Sequence, residues 1–379
     1  MSMGGKKPRC LVTGGAGFLG QHIVTQLLQR GHYDVVIFDI RATDDQRVSC
    51  IVGDLRKPEQ VAAAVAGCEA VFHVATAAPT GENATNKTLM SAVNVDGTRH
   101  IIDACVASGT VKRLIYTSSA SVVFEGKHLY NVNEAQPYAA KPMDFYTETK
   151  IEGEQLILAA AGRGGLTVVA LRPSGIFGEG DLIFVPTTVR NAIAGKLKYI
   201  IGDGSNRMDW TYVGNIAHAH LLADDALSAP ETAAAVSGKP YFITNQDPQP
   251  FWGTIGDVCE GLGYRRPSIH LPFLLIYIIA LIFEVLLLPL IRLFKPKVVV
   301  DFSVNRILIA TTNRTFDSSA ATRELKYKPT VNMKDAMTRT LLSFAHLRAD
   351  SSQGAARAEA PSTSSSSSSG VKPARTKRA

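Results

Sequence analysis

The stretch Cys10-Leu11-Val12-Thr13-Gly14-Gly15-Ala16-Gly17-Phe18-Leu19-Gly20 decides the fold. It opens on an apolar run that reads as a buried strand. From Phe18 to Gln29, apolar residues recur at helical spacing at Phe18, Leu19, Ile23, Leu27 and Leu28. Strand, glycine turn and helix therefore follow without a gap. Gly14, Gly17 and Gly20 stand three apart, a spaced relative of the dinucleotide fingerprint. The first permits a tight turn, the second lets the backbone approach a pyrophosphate, and the third lets helix pack on strand. The helix start, with Phe18 and Leu19 in its first turn, offers free N–H groups and a positive dipole end to phosphates.

Working outward, Val35-Val36-Ile37-Phe38-Asp39 is a second strand ending in an acid, 19 residues after Gly20. An acid there accepts hydrogen bonds from ribose hydroxyls and repels a 2′-phosphate, which favours NAD over NADP. Arg41 and Arg47 nearby could instead welcome a phosphate. Cys50-Ile51-Val52-Gly53-Asp54-Leu55 reads as a third strand, with Asp54 and Leu55 against the adenine edge. Asp54 is equally placed to N-cap a helix at Pro58, and the two roles can coexist. Ala70–Ala75 is a fourth strand, and the small residues Thr76-Ala77-Ala78-Pro79 after it let a cofactor lie across the strand end at Ala75. His73, mid-strand, reads as a core histidine. A helix follows from Asn94, with Ile101, Ile102 and Cys105 inward, and Lys112–Ser119 is a fifth strand that delivers hydroxyls at its carboxyl end.

Composition bounds the rest. At 379 residues and 46% hydrophobic content the chain can build a large α/β domain with a smaller partner region. Its net charge of +7 lacks a basic stripe with interleaved aromatics, so nucleic acid is not an expected partner. Five scattered cysteines, with no C-x-x-C, read as reduced thiols facing the cytosol. The sequons at Asn83, Asn86 and Asn313 would then stay unmodified. No signal peptide is expected before the first strand. His218 and His220, two apart on a helix, face different ways, so no metal site is expected.

Tyr146-Thr147-Glu148-Thr149-Lys150 begins another helix and puts tyrosine and lysine, four apart, on one face, with Glu148 turned to solvent. Gly14, Gly17, Gly20, Asp39, Ser119, Tyr146 and Lys150 occur in the order and rough spacing of the extended short-chain dehydrogenases. Leu171-Arg172-Pro173-Ser174-Gly175-Ile176-Phe177-Gly178 is similar to that family's loop beside the nicotinamide, contributing Pro173 and Ile176. Asp209–Ala217 is similar to its late strand-to-helix junction. With the strings at 117–126, 137–142, 242–245 and 345–348, the chain resembles the 3β-hydroxysteroid dehydrogenase group over about residues 9–348.

The resemblance implies a Rossmann-type doubly wound parallel sheet: an NAD-binding domain over 8–245, with a substrate-loop insertion near 179–208, and a C-terminal substrate region over 246–348. It also implies a catalytic set in which Tyr146 takes the proton of a secondary alcohol, Lys150 and the nicotinamide favour its phenolate, and Ser119, rather than its neighbour Ser118, holds the alcohol oxygen. The implied substrate is a sterol with a 3β-hydroxyl and a 4α-carboxylate. Oxidation gives a β-keto acid, which loses carbon dioxide as an enolate without metal. Arg172, Lys141 and Arg207 are the carboxylate-binding candidates by charge. A homodimer, other sterol C-4 demethylation enzymes as partners, and a place on endoplasmic reticulum membranes or lipid droplets, catalytic domain in the cytosol, are further expectations of the resemblance. A 3β-hydroxysteroid dehydrogenase/isomerase on non-carboxylated steroids, a sugar-nucleotide enzyme and a non-catalytic NAD-binding membrane sensor are the alternatives.

Between about 269 and 294 lies an apolar membrane segment: Leu271 to Phe283 is unbroken, and after Glu284 comes Val285–Ile291. Neither run reaches the roughly 18 residues of a spanning helix, and Pro289 should kink it. Three readings remain open: a helix buried in the substrate region, a segment lying in or dipping into lipid, and a full span that tolerates Glu284. The basic flanks Arg265, Arg266, Arg292, Lys295 and Lys297 suit either membrane reading. Residues 349–379, Ser-rich and basic, form a tail expected to be disordered.

Overall fold

The computed structural model describes residues 7–78, 86–294 and 302–349. Pro79, the Asn83 sequon, Lys295, Lys297 and the tail from residue 350 lie outside the described residues.

Seven strands form one parallel sheet. Those on its first half are β1 (Arg9–Thr13), β2 (Asp34–Asp39) and β3 (Ser49–Val52). β4 (Cys68–His73) and β5 (Arg113–Thr117) follow, β6 (Leu129–Val132) belongs to a smaller sheet, and β7 (Thr167–Pro173) and the strand Lys239–Ile243 complete the large one. Its spatial order is Lys239–Ile243, β7, β5, β4, β1, β2, β3. The order reverses between β1 and β4, and a doubly wound sheet binds its ligand at that switch point, outside the strands' carboxyl ends. Both faces are covered, so the strands are near-continuous apolar runs: Cys10, Leu11 and Val12 in β1 and Leu114, Ile115 and Tyr116 in β5 are all at most 1% exposed.

The helices α1 (Phe18–Arg30), α2 (Pro58–Val65), α3 (Lys87–Ser91), α4 (Gly97–Ser108), α5 (Phe145–Ala159), α6 (Phe184–Ile193) and α7 (Val213–Ser228) are the main crossovers and covers. Gly31, with φ +66°, closes α1 by returning its N–H to the Leu27 carbonyl. Between α3 and α4 the chain does not break; a π turn at Ala92–Asp96 joins them, so the helix expected from Asn94 starts earlier and widens there. The widened turn turns Asn94 inward, a common use of such bulges.

The third strand is shorter than expected. It stops at Val52, because Gly53 turns beneath the Phe38 ring and donates its N–H to the Asp39 carbonyl. Asp54 does not cap α2 either: Lys57 holds the N-cap position, while the Asp54 carboxylate accepts the Arg56 N–H at 2.9 Å and pairs with its guanidinium.

The residues after 302 return to the sheet. The strand Arg314–Phe316 pairs with β6, and Tyr327, Met333 and Ala336 join a core cluster that begins at Cys10 and Val12.

The apolar segment is one helix: Phe273–Ile282, a π turn Phe283–Leu287, then Leu288–Phe294. Glu284, which divides the apolar run in the sequence, does not interrupt the helix, and the window Phe273–Ile291 is 19 residues long with mean hydropathy 2.9. Leu288 donates its N–H back to the Phe283 carbonyl, widening the helix just ahead of Pro289. The proline ring would otherwise press on the carbonyl four residues before it, so the wide turn admits it without a break. Only 6% of the window is buried, which overturns the reading of this segment as a core helix.

Candidate active site

The glycine loop is shaped by its own backbone. Gly14 has φ +70°, and a Cβ there would sit 2.8 Å from the Ala75 Cα, so the loop lies flush against the end of β4. Gly20 faces the Gly14 carbonyl and has no room for a side chain, which is the packing role read from its spacing. At Gly17 a Cβ would meet only the Gly14 oxygen, at 3.1 Å. Space there opens outward. Gly17 caps α1 with no side-chain hydrogen bond, and no acid lies in the first turn of Phe18, Leu19 and Gly20. That helix end can receive an anion.

Asp39, 8% exposed, closes the loop from the side. Its two oxygens accept the N–H groups of Ala16 and Arg41, both at 3.1 Å. A cleft of about 450 Å³ runs from Gly15 and Ala16 to 41–47. Of the two arginines that might have drawn a phosphate, Arg47 is paired with Asp45 at 2.7 Å, and Arg41 leans toward Asp39 at 3.9 Å. Leu55 is buried and its carbonyl faces His100 Nδ1 at 2.8 Å; Pro173 is buried and Ile176 partly so at the end of β7.

At the carboxyl end of β5 the three adjacent hydroxyls have different partners. Thr117 Oγ1 meets His220 Nε2 at 2.7 Å, and Ser118 Oγ donates to Glu154 Oε2. Ser119 alone is partly exposed. It caps a short 3₁₀ turn, Ala120–Val123, by accepting the Ser121 N–H at 3.1 Å.

On α5, Asp144 caps the helix through the Thr147 N–H at 2.8 Å, and the Tyr146 side chain shares a hydrogen bond with that of Thr76. Burial pushes the Tyr146 phenol up to about 12. Lys150, 2% exposed, donates from Nζ to the Thr117 carbonyl at 2.6 Å and lies 4.3 Å from the centre of the Tyr116 ring. Burial brings its ammonium down to about 7. The protein alone therefore opposes the phenolate, and the lysine holds the strand rather than the tyrosine.

Spacing did not mark Asn94 or Thr76 as site residues. Asn94 Oδ1 accepts the Ala77 N–H at 2.7 Å and the Thr76 hydroxyl at 3.0 Å, and its amide donates to Thr149 at 2.9 Å. It thereby ties the β4 loop to α5 from within the π turn.

Arg172 is not a free carboxylate receptor. It is 2% exposed and bonds Glu154 through Nε and Nη2, Nη2 at 2.6 Å, between the rings of Tyr138 and Phe242, leaving only Nη1 without a partner. Lys141 and Arg207 are exposed, and Arg207 donates to the Pro248 carbonyl. Arg314 was not singled out by charge counting. Its guanidinium lies 5.3 Å from the Phe124 ring and 5.9 Å from Phe251, its Nε is buried with no partner, and among the described residues no carboxylate pairs with it. Desolvation lowers its pKa to about 10.

His73 is a satisfied core residue, between Thr13 at 2.8 Å and Thr98 at 3.0 Å. Glu148 is exposed. Among the described residues no group of three or more His, Cys, Asp or Glu could hold a metal.

A glycine-loop helix start at the switch point of a seven-stranded parallel sheet, with a Tyr-x-x-x-Lys helix beside β5, defines an oxidoreductase of the short-chain dehydrogenase type. The chain belongs to the 3-beta hydroxysteroid dehydrogenase/isomerase family, whose model matches residues 11–273. It is 45% identical over 358 residues to the 3beta-hydroxysteroid-dehydrogenase/decarboxylase isoform 1 of Arabidopsis thaliana, covering 90% of this chain and 80% of that one. The sterol-4-alpha-carboxylate 3-dehydrogenase, decarboxylating, of Mus musculus is 41% identical over 350 residues, with 91% and 93% covered. Among solved structures, MoeE5 in complex with UDP-glucose and NAD superposes with a TM-score of 0.66 at 23% identity, covering 89% of this chain and 99% of that one. That last likeness is one of fold.

Proposed function

We propose that this protein oxidises the 3β-hydroxyl of a 4α-carboxysterol to the ketone with NAD, and that the 4α-carboxylate then leaves as carbon dioxide. The observation that carries the reading is the arrangement at β5, where Ser119 is the hydroxyl left available and Tyr146 and Lys150 stand on the adjoining helix face. The relatives in Arabidopsis and mouse, named for dehydrogenation with decarboxylation, supply the substrate class.

The adenosine half of NAD suits the cleft beside Asp39, whose carboxylate is available to ribose hydroxyls and disfavours a 2′-phosphate. Gly14, Gly17 and the N–H groups of Phe18, Leu19 and Gly20 would cradle the pyrophosphate. Asp54 and Leu55 would flank the adenine, and Ala75, Pro173 and Ile176 would line the nicotinamide end. When bound, NAD+ supplies the hydride acceptor and a positive charge near Tyr146. The protein's own part is to take the alcohol proton on Tyr146 Oη, to hold the alcohol oxygen with Ser119, and to keep Lys150 in the same desolvated pocket. Arg314 is the cation this reading assigns to the 4α-carboxylate: it is half-buried, its Nε is buried without a partner, it lacks an acid partner among the described residues, and Phe124, against which it lies, ends the turn that Ser119 begins. The same reading includes cytosol-facing residence on endoplasmic reticulum membranes and lipid droplets, a homodimer, and contact with other sterol C-4 demethylation enzymes.

Detergent-solubilised protein given a 4α-carboxy-3β-hydroxysterol and NAD+ should form NADH and carbon dioxide in equal amounts, with Tyr146→Phe reducing both by about 100-fold or more. NADH without carbon dioxide, seen equally with plain 3β-hydroxysteroids, would refute the decarboxylase and leave a simple steroid dehydrogenase.

A further inference from the structure

We infer that the apolar helix enters a single leaflet of a lipid bilayer and does not cross it. The first ground is topological. Before the helix, the strand Ile269–Leu271 pairs with Tyr199–Ile201. After it, Arg314–Phe316 pairs with β6, the Tyr327 hydroxyl donates to the Thr244 carbonyl at 2.9 Å, and the Val331 carbonyl accepts from Asn215 and Asn245. The chain on both sides of the helix is one folded body with one core. A single crossing would put its two parts on opposite sides of the membrane.

The second ground is where the chain comes back. Glu284 Oε1 accepts the Val304 N–H at 3.0 Å, in the first turn of the helix Val304–Thr311, and the Phe283 and Phe302 rings meet edge to face at 5.9 Å. Asn305 then donates to the Met143 carbonyl, three residues before Tyr146. By Val304 the chain has returned to the midpoint of the apolar helix and to the catalytic domain. Glu284, the charge that argues against a lipid span, therefore marks the point on the helix against which the returning chain packs. Its carboxylate sits on a helix N-terminus, where a negative charge is stabilised.

Leu274, Leu275, Ile278 and Ile282 before Glu284 are exposed as well, and beyond the Val304 contact the described helix runs on for ten residues, Val285 to Phe294. At about 1.5 Å per residue they reach about 15 Å, half of a hydrocarbon core about 30 Å thick. Val285, Leu286, Leu287, Leu290, Leu293 and Phe294 are all exposed there, Leu293 at 76% and Phe294 at 83%. At about 100° per residue they occupy more than half of the helix circumference, wider than one face docked on a protein would require. The occupant that covers such a projection on most sides is lipid.

At the root of the helix a cavity of about 640 Å³ is lined by Pro272 and Phe273, by Leu308 and Thr311 of the returning helix, and by Gly126 and Lys127. Gly126 and Lys127 follow the turn that Ser119 caps. The cavity is thus an opening for an amphipathic ligand arriving from the leaflet. That role rests on the sterol reading above, whereas the single-leaflet insertion does not.

The test uses the full chain and no substrate. It should bind phosphatidylcholine bilayer vesicles and, equally, triolein droplets coated with a phosphatidylcholine monolayer, because a single leaflet is all the helix needs. Translated with microsomes, it should show no endoglycosidase-sensitive shift, although sequons stand before the helix at Asn86 and after it at Asn313. Binding to vesicles with exclusion from droplets, or glycosylation at either sequon, would establish a crossing and overturn the inference. Binding to neither surface would overturn the lipid contact itself. Loss of turnover with droplet binding intact would count against the sterol reading alone.

Discussion

Ser118 and Ser119 are adjacent on the chain, yet their hydroxyls lie in different worlds: Ser118 Oγ is buried and donates to Glu154, while Ser119 Oγ faces Ser121 at 2.9 Å on the edge of the site. Both stand just past the end of β5, where one serine packs inward on Glu154 and the other, at the start of the 3₁₀ turn, stays partly exposed. Ser119→Ala should lower kcat by about 100-fold, the scale of losing one donor to a reacting oxygen, with the melting temperature unchanged. Ser118→Ala should do the reverse, keeping kcat within a few-fold and costing about 1–3 kcal/mol of stability, because Glu154 loses a donor in the interior. Paired kinetics and thermal melts would distinguish them, and the opposite pattern would exchange the two assignments.

Glu154 and Arg172 are 0% and 3% exposed in their side chains, so this ion pair is deep in the protein. Glu154→Ala would leave the arginine cation buried among Tyr138 and Phe242 without its partner. The expected loss is about 3–5 kcal/mol, read as a lower midpoint in urea. A loss under about 1 kcal/mol would mean that water reaches the guanidinium.

Acid should destabilise the fold through two histidines. Burial holds His73 at about 3 and His220 at about 4, well below the ordinary 6.5. Between those values and 6.5 the unfolded chain binds more protons than the folded one, so stability rises with pH across that window and falls as pH drops through it. His220→Gln, which keeps an acceptor for Thr117, should flatten the fall between pH 6.5 and 4. Melting temperatures across that range with an unchanged slope would show that other groups dominate.

The cofactor preference should depend on Asp39. Asp39→Ser removes the charge that repels a 2′-phosphate and leaves Arg41 free to meet it. The ratio of kcat/KM for NADP+ to that for NAD+ should rise by about tenfold or more, about 1.4 kcal/mol of discrimination. A ratio that stays put would move the source of selectivity to another residue.

The sheet was readable in the sequence because its strands are buried on both faces and therefore appear as runs such as Val35–Phe38, ended by glycine or an acid. The Tyr146 and Lys150 pairing was readable from helical spacing. What escaped depends on contacts distant in sequence. Arg172 resembled an available cation until Glu154, one turn of α5 beyond Lys150, was seen to occupy it. Arg314 was one arginine among many, and its place against Phe124 and Phe251, far away in the chain, with the Ile309 carbonyl rather than an acid as its Nη2 partner, could not be read from charge. Asn94 acts through a π turn that no residue pattern announces. Of the two roles open to Asp54, the cap is not taken, because Arg56, two residues on, occupies the same oxygens. Glu284 seemed to break an apolar run, and its partner Val304 lies 20 residues later, across the turn of the chain.

The core cluster that joins Cys10 and Val12 to Tyr327 and Ala336 also sets an order of events in biosynthesis. A nascent chain cannot close that core until nearly its whole length has been synthesised, and by then the apolar helix has already emerged. On the single-leaflet proposal the helix must therefore find lipid, or a chaperone, while the enzyme around it is still open. A truncation between 302 and 349 would leave an exposed apolar helix attached to a core that cannot be completed, a species bound for aggregation or degradation rather than one with a trimmed tail.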